Sequence, residues 1–250
     1  MGQIVSSVKK CAGLKKSSPA ETVRNDHITI LVIGDRDVGK TTLIDNFIEE
    51  HTDISSREET TPLNPAPKNQ DKIRIKNTNQ LFVDGHASYS VGISIVEING
   101  SLDVMEKQLR DSYYKTSDIV FILYNIAKVD SLYHVENVWY KEIKDTALRE
   151  NKASDMQVCV VGVNPEARDQ LVETNIYEPD GNDEENMELF RRNTNRKSIG
   201  RGQGERVSVK LKHKHSKRDT RHFEVQKDRG KVIEFFNTVV KDYVLSRLNN

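Results

Sequence analysis

A glycine-framed turn, Gly34-Asp35-Arg36-Asp37-Val38-Gly39-Lys40-Thr41, separates two segments of opposite periodicity. Before it, Ile28 to Ile33 is a run of aliphatic, mostly β-branched residues. After it, Leu43, Ile44, Phe47 and Ile48 recur at helical spacing, so the unit reads as strand, loop and helix. The turn fits G-x-x-x-x-G-K-[ST] at every fixed position and has the flanks that motif requires. Its glycines let backbone N–H groups face a phosphate chain, and the helix start adds its positive dipole end. In that geometry Lys40 reaches the outer phosphates and the Thr41 hydroxyl ligates Mg²⁺. Gly34, Asp35, Arg36, Asp37, Val38, Gly39, Lys40, Thr41 and Thr42 are therefore the expected polyphosphate-binding residues.

The remaining chain supplies the partners of that first strand. Residues 118–126, DIVFILYNI, and 157–163, QVCVVGV, are near-continuous apolar runs of the kind buried on both faces of a parallel sheet. Residues 91–98 are β-rich and follow a hairpin signal at Val83-Asp84-Gly85-His86. Helical spacing marks 101–115, 131–147 and 231–248. The polar, proline-bearing stretch 51–80 reads as a long loop with a short strand at 72–76. Strands alternating with helices predict an α/β fold with right-handed crossovers: a doubly wound, mostly parallel six-stranded sheet flanked by helices. Ligands of such sheets sit at the carboxyl ends of the strands, where the glycine turn lies.

A chain of 250 residues has room for one sizeable α/β domain with appendages. Lys plus Arg and Asp plus Glu both total 38, which argues against specific nucleic-acid binding by the whole molecule. Cys11 and Cys159 lie far apart, which suits a reducing compartment and no disulfide framework. Residues 1–25 are expected to be a disordered basic membrane tag and 26–248 the folded domain. Met1-Gly2-Gln3-Ile4-Val5-Ser6 matches the myristoylation pattern at Gly2, and Cys11 is a candidate palmitoyl acceptor. Lys9, Lys10, Lys15 and Lys16 would draw the same tail to anionic lipid. With no apolar run near the roughly 20 residues of a spanning helix, the expected location is cytoplasmic, peripheral on the cytoplasmic face of a membrane such as the plasma membrane.

Over 26–164 and 221–243 these motifs resemble the Ras-like small GTPase superfamily of P-loop proteins. The stretch 108–139, with Leu109-Arg110, Tyr113-Tyr114, DIVFILYNI and Asp130-Ser131-Leu132 leading to Trp139, is similar to the family's run from its second switch to its third helix. The resemblance implies GTP/GDP and Mg²⁺ as cofactors, effector proteins as partners, and a threonine at Thr60 or Thr61 that closes on the metal; Thr61 is the metal candidate. It also implies departures. The family's D-x-x-G stands here as Glu97-Ile98-Asn99-Gly100, with Glu97 expected to hold Mg²⁺ through a water, and Ser101 stands where hydrolytic members keep a water-orienting glutamine. Arg36 occupies a position that is small in many relatives; it would crowd out the attacking water, stabilise charge in cis, or point to solvent. The base-reading N-K-x-D becomes Asn164-Pro165-Glu166, in which Glu166, or Asp169 after a register shift, would contact guanine. Of S-A-K only Lys227 remains, after Val225-Gln226.

A charged insertion at about 170–220 departs from the family pattern and is expected to be largely disordered: 180–188 is acidic, and 191–221 carries 12 Lys or Arg against Glu205 and Asp219. Alternation of Val207, Val209 and Leu211 admits a hairpin there. His213, His215 and His222 lack the neighbours of a metal set. Thr194 and Ser198 sit in basic contexts suited to phosphorylation, which would weaken the patch. The favoured reading is an atypical GTP-binding, membrane-associated switch with slow or absent hydrolysis of GTP to GDP. The alternatives are a nucleotide-free interaction scaffold and a P-loop NTPase with relaxed base choice.

Overall fold

The computed structural model describes residues 24–51, 73–84, 87–100, 104–149, 155–168, 199–200, 202–211 and 218–248. Strand β1 (Arg24–Gly34) runs into the turn and helix α1 (Lys40–His51) leaves it. Next come β2 (Ile73–Asp84), β3 (Ala87–Ile98), helix α2 (Val104–Thr116) and β4 (Ile119–Asn125). Helix α3 (Val129–His134) passes through a π-helical turn (Val135–Tyr140) into α4 (Lys141–Arg149). Strand β5 (Gln157–Val163) ends in a 3₁₀ turn (Pro165–Arg168), and α5 (Gln203–Lys210), β6 (Arg221–Val225) and α6 (Arg229–Leu248) complete the domain.

The sheet has six strands in the order β2-β3-β1-β4-β5-β6, all parallel except β2, which runs antiparallel to β3. This is the expected α/β architecture. Alternate residues of the central strands feed two apolar layers. Ile28, Ile30, Val32, Phe121 and Leu123 pack with Phe47 of α1 and Phe236 of α6. Leu31, Ile33, Val120 and Ile122 face the other way, onto Trp139, Tyr140 and Ile143. Every residue of β5 is buried, as its unbroken apolar run requires.

Several expectations change at the edges. The short strand at 72–76 is in fact the twelve-residue β2, paired with β3 from Ile73↔Ile98 to Asp84↔Ala87. Its composition disguised it, because an edge strand carries Asn77 and Asn79 outward to solvent. The alternation of Val207, Val209 and Leu211 is no hairpin; 203–210 is helical. The buried positions there are Gly204, Ser208 and Leu211, four and three apart, while Val209 is exposed. Part of the expected insertion is thus built into the domain, with Ile199 also buried. Gly2, Cys11, Thr61, Asp169, Thr194 and Ser198 lie outside the described residues.

Candidate functional site

The β1–α1 turn opens onto a cavity of about 940 Å³ lined by Arg36–Thr42, Ile73, Arg74, Glu97, Asn99, Asn125 and Lys227. Its floor is fixed by backbone contacts that only glycine permits. Gly34 has φ +138°, and a Cβ there would stand 2.4 Å from the Leu123 carbonyl oxygen. A Cβ on Gly100 would stand 2.3 Å from the Gly34 carbonyl oxygen, so the turn rests directly on the residue that closes the Glu97-Ile98-Asn99-Gly100 motif.

Lys40 is buried, 5 % exposed, and folds back over the loop that precedes it: Nζ donates to the Gly34 carbonyl at 3.0 Å and to the Asp35 carbonyl at 2.7 Å. Burial lowers the pKa of its ammonium from the ordinary lysine value, while Glu97, Asp35 and Asp37 pull it back up. A phosphate chain would relieve that desolvation by supplying the missing negative charge. Thr41 Oγ1 donates to Glu97 Oε1 at 2.5 Å. A hydroxyl and a carboxylate are hard oxygen donors of the kind Mg²⁺ takes, so Thr41 and Glu97 would be the residues to hold it, with the Arg74 guanidinium a competing cation 3.5 Å from Glu97.

The Asp35 side chain turns away from the cavity. Its carboxylate accepts from Trp139 Nε1 at 2.9 Å and meets His134 Nδ1 at 2.7 Å, so the π-helical turn after α3 grips the residue whose carbonyl seats Lys40. Behind it, Arg110 of α2 lies over the Trp139 ring at 5.3 Å and forks onto Glu142 of α4 with two 2.8 Å bonds. Arg36 and Asp37 are exposed at the cavity mouth, and Lys128 Nζ donates to the Asp37 carbonyl at 3.3 Å.

The base-reading candidates divide. Lys227 lines the phosphate cavity, and its carbonyl accepts from Asn46 Nδ2 at 3.1 Å. Asn164 holds a left-handed backbone, φ +66°, at the start of the 3₁₀ turn. Glu166 lines a separate cavity of about 580 Å³ with Arg168, Phe223, Glu224 and Phe235, and its Oε2 is buried without a hydrogen-bond partner. Of the expected residues, Arg36 to Thr42, Glu97 and Lys227 line one cavity and Glu166 lines the other, while Gly34, Asp35 and Asn164 line neither.

Sequence reading missed Arg74, which reaches the phosphate cavity from β2, and the partners of Asp35. Across the β2–β3 ladder Arg74 stands opposite Glu97. That pairing spans a hairpin and leaves no local motif. Trp139 was visible as the chain's single tryptophan, and its indole N–H required a buried acceptor.

A search of curated proteins finds no match. The family model described as "Ras: Ras family" matches residues 29–242, which takes in the sheet from the middle of β1 onward, the glycine turn and most of α6. With that span, the six-stranded sheet and the G-x-x-x-x-G-K-T turn between β1 and α1, the chain belongs to the Ras family of small GTP-binding proteins.

Proposed function

We propose that the protein is a membrane-associated signalling switch that holds guanine nucleotide and hydrolyses GTP slowly or not at all. The observation that carries this reading is the open cavity beside the glycine turn, with Lys40 already seated on the Gly34 and Asp35 carbonyls. Such a site supplies inward backbone donors, a helix start and an ammonium group, the elements that grip a polyphosphate. Bound Mg²⁺, held by Thr41 and through a water by Glu97, would neutralise charge on the outer phosphates.

Slow turnover follows from what stands around that grip. Phosphoryl transfer in this class depends on positioned water and compensating charge. Ser101 cannot orient water as a glutamine does, and Glu97 carries its charge one methylene, over about one ångström, further from the backbone than aspartate. Arg36 at the cavity mouth adds bulk and charge where the attacking water would enter. Base choice should be loose, since Pro165 replaces a lysine and Glu166 faces the neighbouring cavity; sites lacking paired hydrogen bonds discriminate poorly.

The membrane part of the reading rests on residues 1–25: Gly2 as acyl acceptor, Cys11 as a second one, and four lysines facing anionic lipid on the cytoplasmic face. Incubating purified protein with Mg²⁺ and labelled GTP tests the catalytic part. Turnover near that of partner-assisted relatives would refute it. Mass spectrometry of protein made in eukaryotic cells tests the tag, and an unmodified Gly2 would end it.

A further inference from the structure

Glu97, the expected outer-shell metal carboxylate, already has a cation. Its Oε1 accepts from Thr41 Oγ1 at 2.5 Å, and its Oε2 faces Arg74 Nη1 at 3.5 Å. The register Arg74↔Glu97 fixes that approach, because paired residues of an antiparallel ladder project to one face. The other guanidinium nitrogen, Nη2, pairs with Asp45 of α1. An arginine guanidinium stays charged at any pH at which the protein is folded. Arg74 is thus a permanent cation, spread between carboxylates of β3 and α1, in the wall of the cavity that Lys40 and Thr41 line.

We propose that Arg74 is a resident counter-cation of Glu97 and that the site takes a nucleoside di- or triphosphate with little dependence on divalent metal. The inference deepens the nucleotide-binding reading and rests on it. A metal arriving at Glu97 meets a carboxylate whose charge Arg74 partly offsets, and it has a guanidinium of like sign close by. Both effects lower metal affinity. The polyphosphate loses less when the metal is absent, because Arg74 joins Lys40 and the loop amides in facing it. Arginine suits this role better than lysine, since its planar fork can bridge Asp45 and Glu97 while the side chain lines the cavity.

The test uses the full chain loaded with a fluorescent GDP analogue and chased with excess GDP, once in excess MgCl₂ and once in excess EDTA. The wild-type dissociation rate should rise less than about threefold on chelation, whereas Arg74→Ser should release its nucleotide more than about tenfold faster in EDTA than in Mg²⁺. A paramagnetic titration of the loaded proteins with Mn²⁺ reads the same quantity directly, and Arg74→Ser should bind it about tenfold more tightly. Wild-type release that accelerates tenfold or more in EDTA overturns the inference whether or not the variant folds. A variant as indifferent to chelation as the wild type also overturns it and leaves Arg74 as a bridge between β2 and α1. No nucleotide held even in Mg²⁺ would overturn the underlying reading as well, which separates the two failures.

Discussion

Glu142→Leu tests whether the buried ion pair behind the loop is structural. Arg110 is 1 % exposed and donates from Nε and Nη2 to the two Glu142 oxygens, each at 2.8 Å, with Tyr114 OH donating to the same carboxylate at 3.1 Å. Removing the carboxylate takes the Glu142 charge and its two hydrogen bonds away from a buried guanidinium, which costs about 3–5 kcal/mol. For a domain of this size each kcal/mol moves Tm by about 2–4 °C, so the variant should melt about 6–20 °C lower. Arg110→Met with Glu142→Leu replaces both charges by apolar groups of similar volume and should recover most of the loss. Urea unfolding followed by emission of Trp139, the only tryptophan, reports this region because the Arg110 guanidinium lies 5.3 Å from its ring. A single variant that costs under about 1 kcal/mol, the range of exposed pairs, would refute the reasoning. So would a double variant no more stable than the single.

Trp139→Phe keeps an aromatic side chain, though a smaller one, and deletes the N–H that holds the Asp35 carboxylate at 2.9 Å, a bond to a charged acceptor worth about 1.5–3 kcal/mol. It should weaken nucleotide affinity through the Lys40 seat, read by competition against a labelled nucleotide. Asp35→Asn should have a smaller effect of the same sign. Alkaline pH should destabilise the fold in two stages. Burial pushes the Cys159 thiol up to about 12 from 9.0, so the unfolded chain ionises first. The stability present below about pH 9 is then lost as pH rises, at about 1.4 kcal/mol per unit. Tyr140 and Tyr243, both pushed up to about 12 from 10.0 chiefly by burial, add their own loss above about pH 10. Urea midpoints at about pH 8 to 11 check both stages, and Cys159→Ala should flatten the slope between about pH 9 and 10 whatever its cost at neutrality.

Much of the fold is legible because the central strands are buried on both faces. DIVFILYNI and QVCVVGV have no other use than a parallel sheet interior, and helix α6 shows its apolar face at every turn. What escaped reading was polar or short. Strand β2 looked like loop because one of its faces meets water, and α5 looked like strand because its core contacts are a glycine and a serine rather than large apolar groups. Gly204 is small for a reason no local pattern records: a Cβ there would stand 2.1 Å from the Tyr124 hydroxyl. The same division holds at the site. Gly34, Lys40 and Thr41 belong to a contiguous motif, and Glu97 to a second one. Arg74, His134 and Trp139 reach the loop only through strand register and helix packing, at separations of 23, 99 and 104 residues from their partners.

Equilibrium titration of the full chain with GTP, GDP and ATP, followed by Trp139 emission and by calorimetry, tests the grip on polyphosphate itself. The account predicts saturable binding of GTP and GDP by the wild type and its loss in Lys40→Ala, whose ammonium spans the Gly34 and Asp35 carbonyls. Absence of binding by the wild type, or binding of unchanged strength in Lys40→Ala, would contradict it.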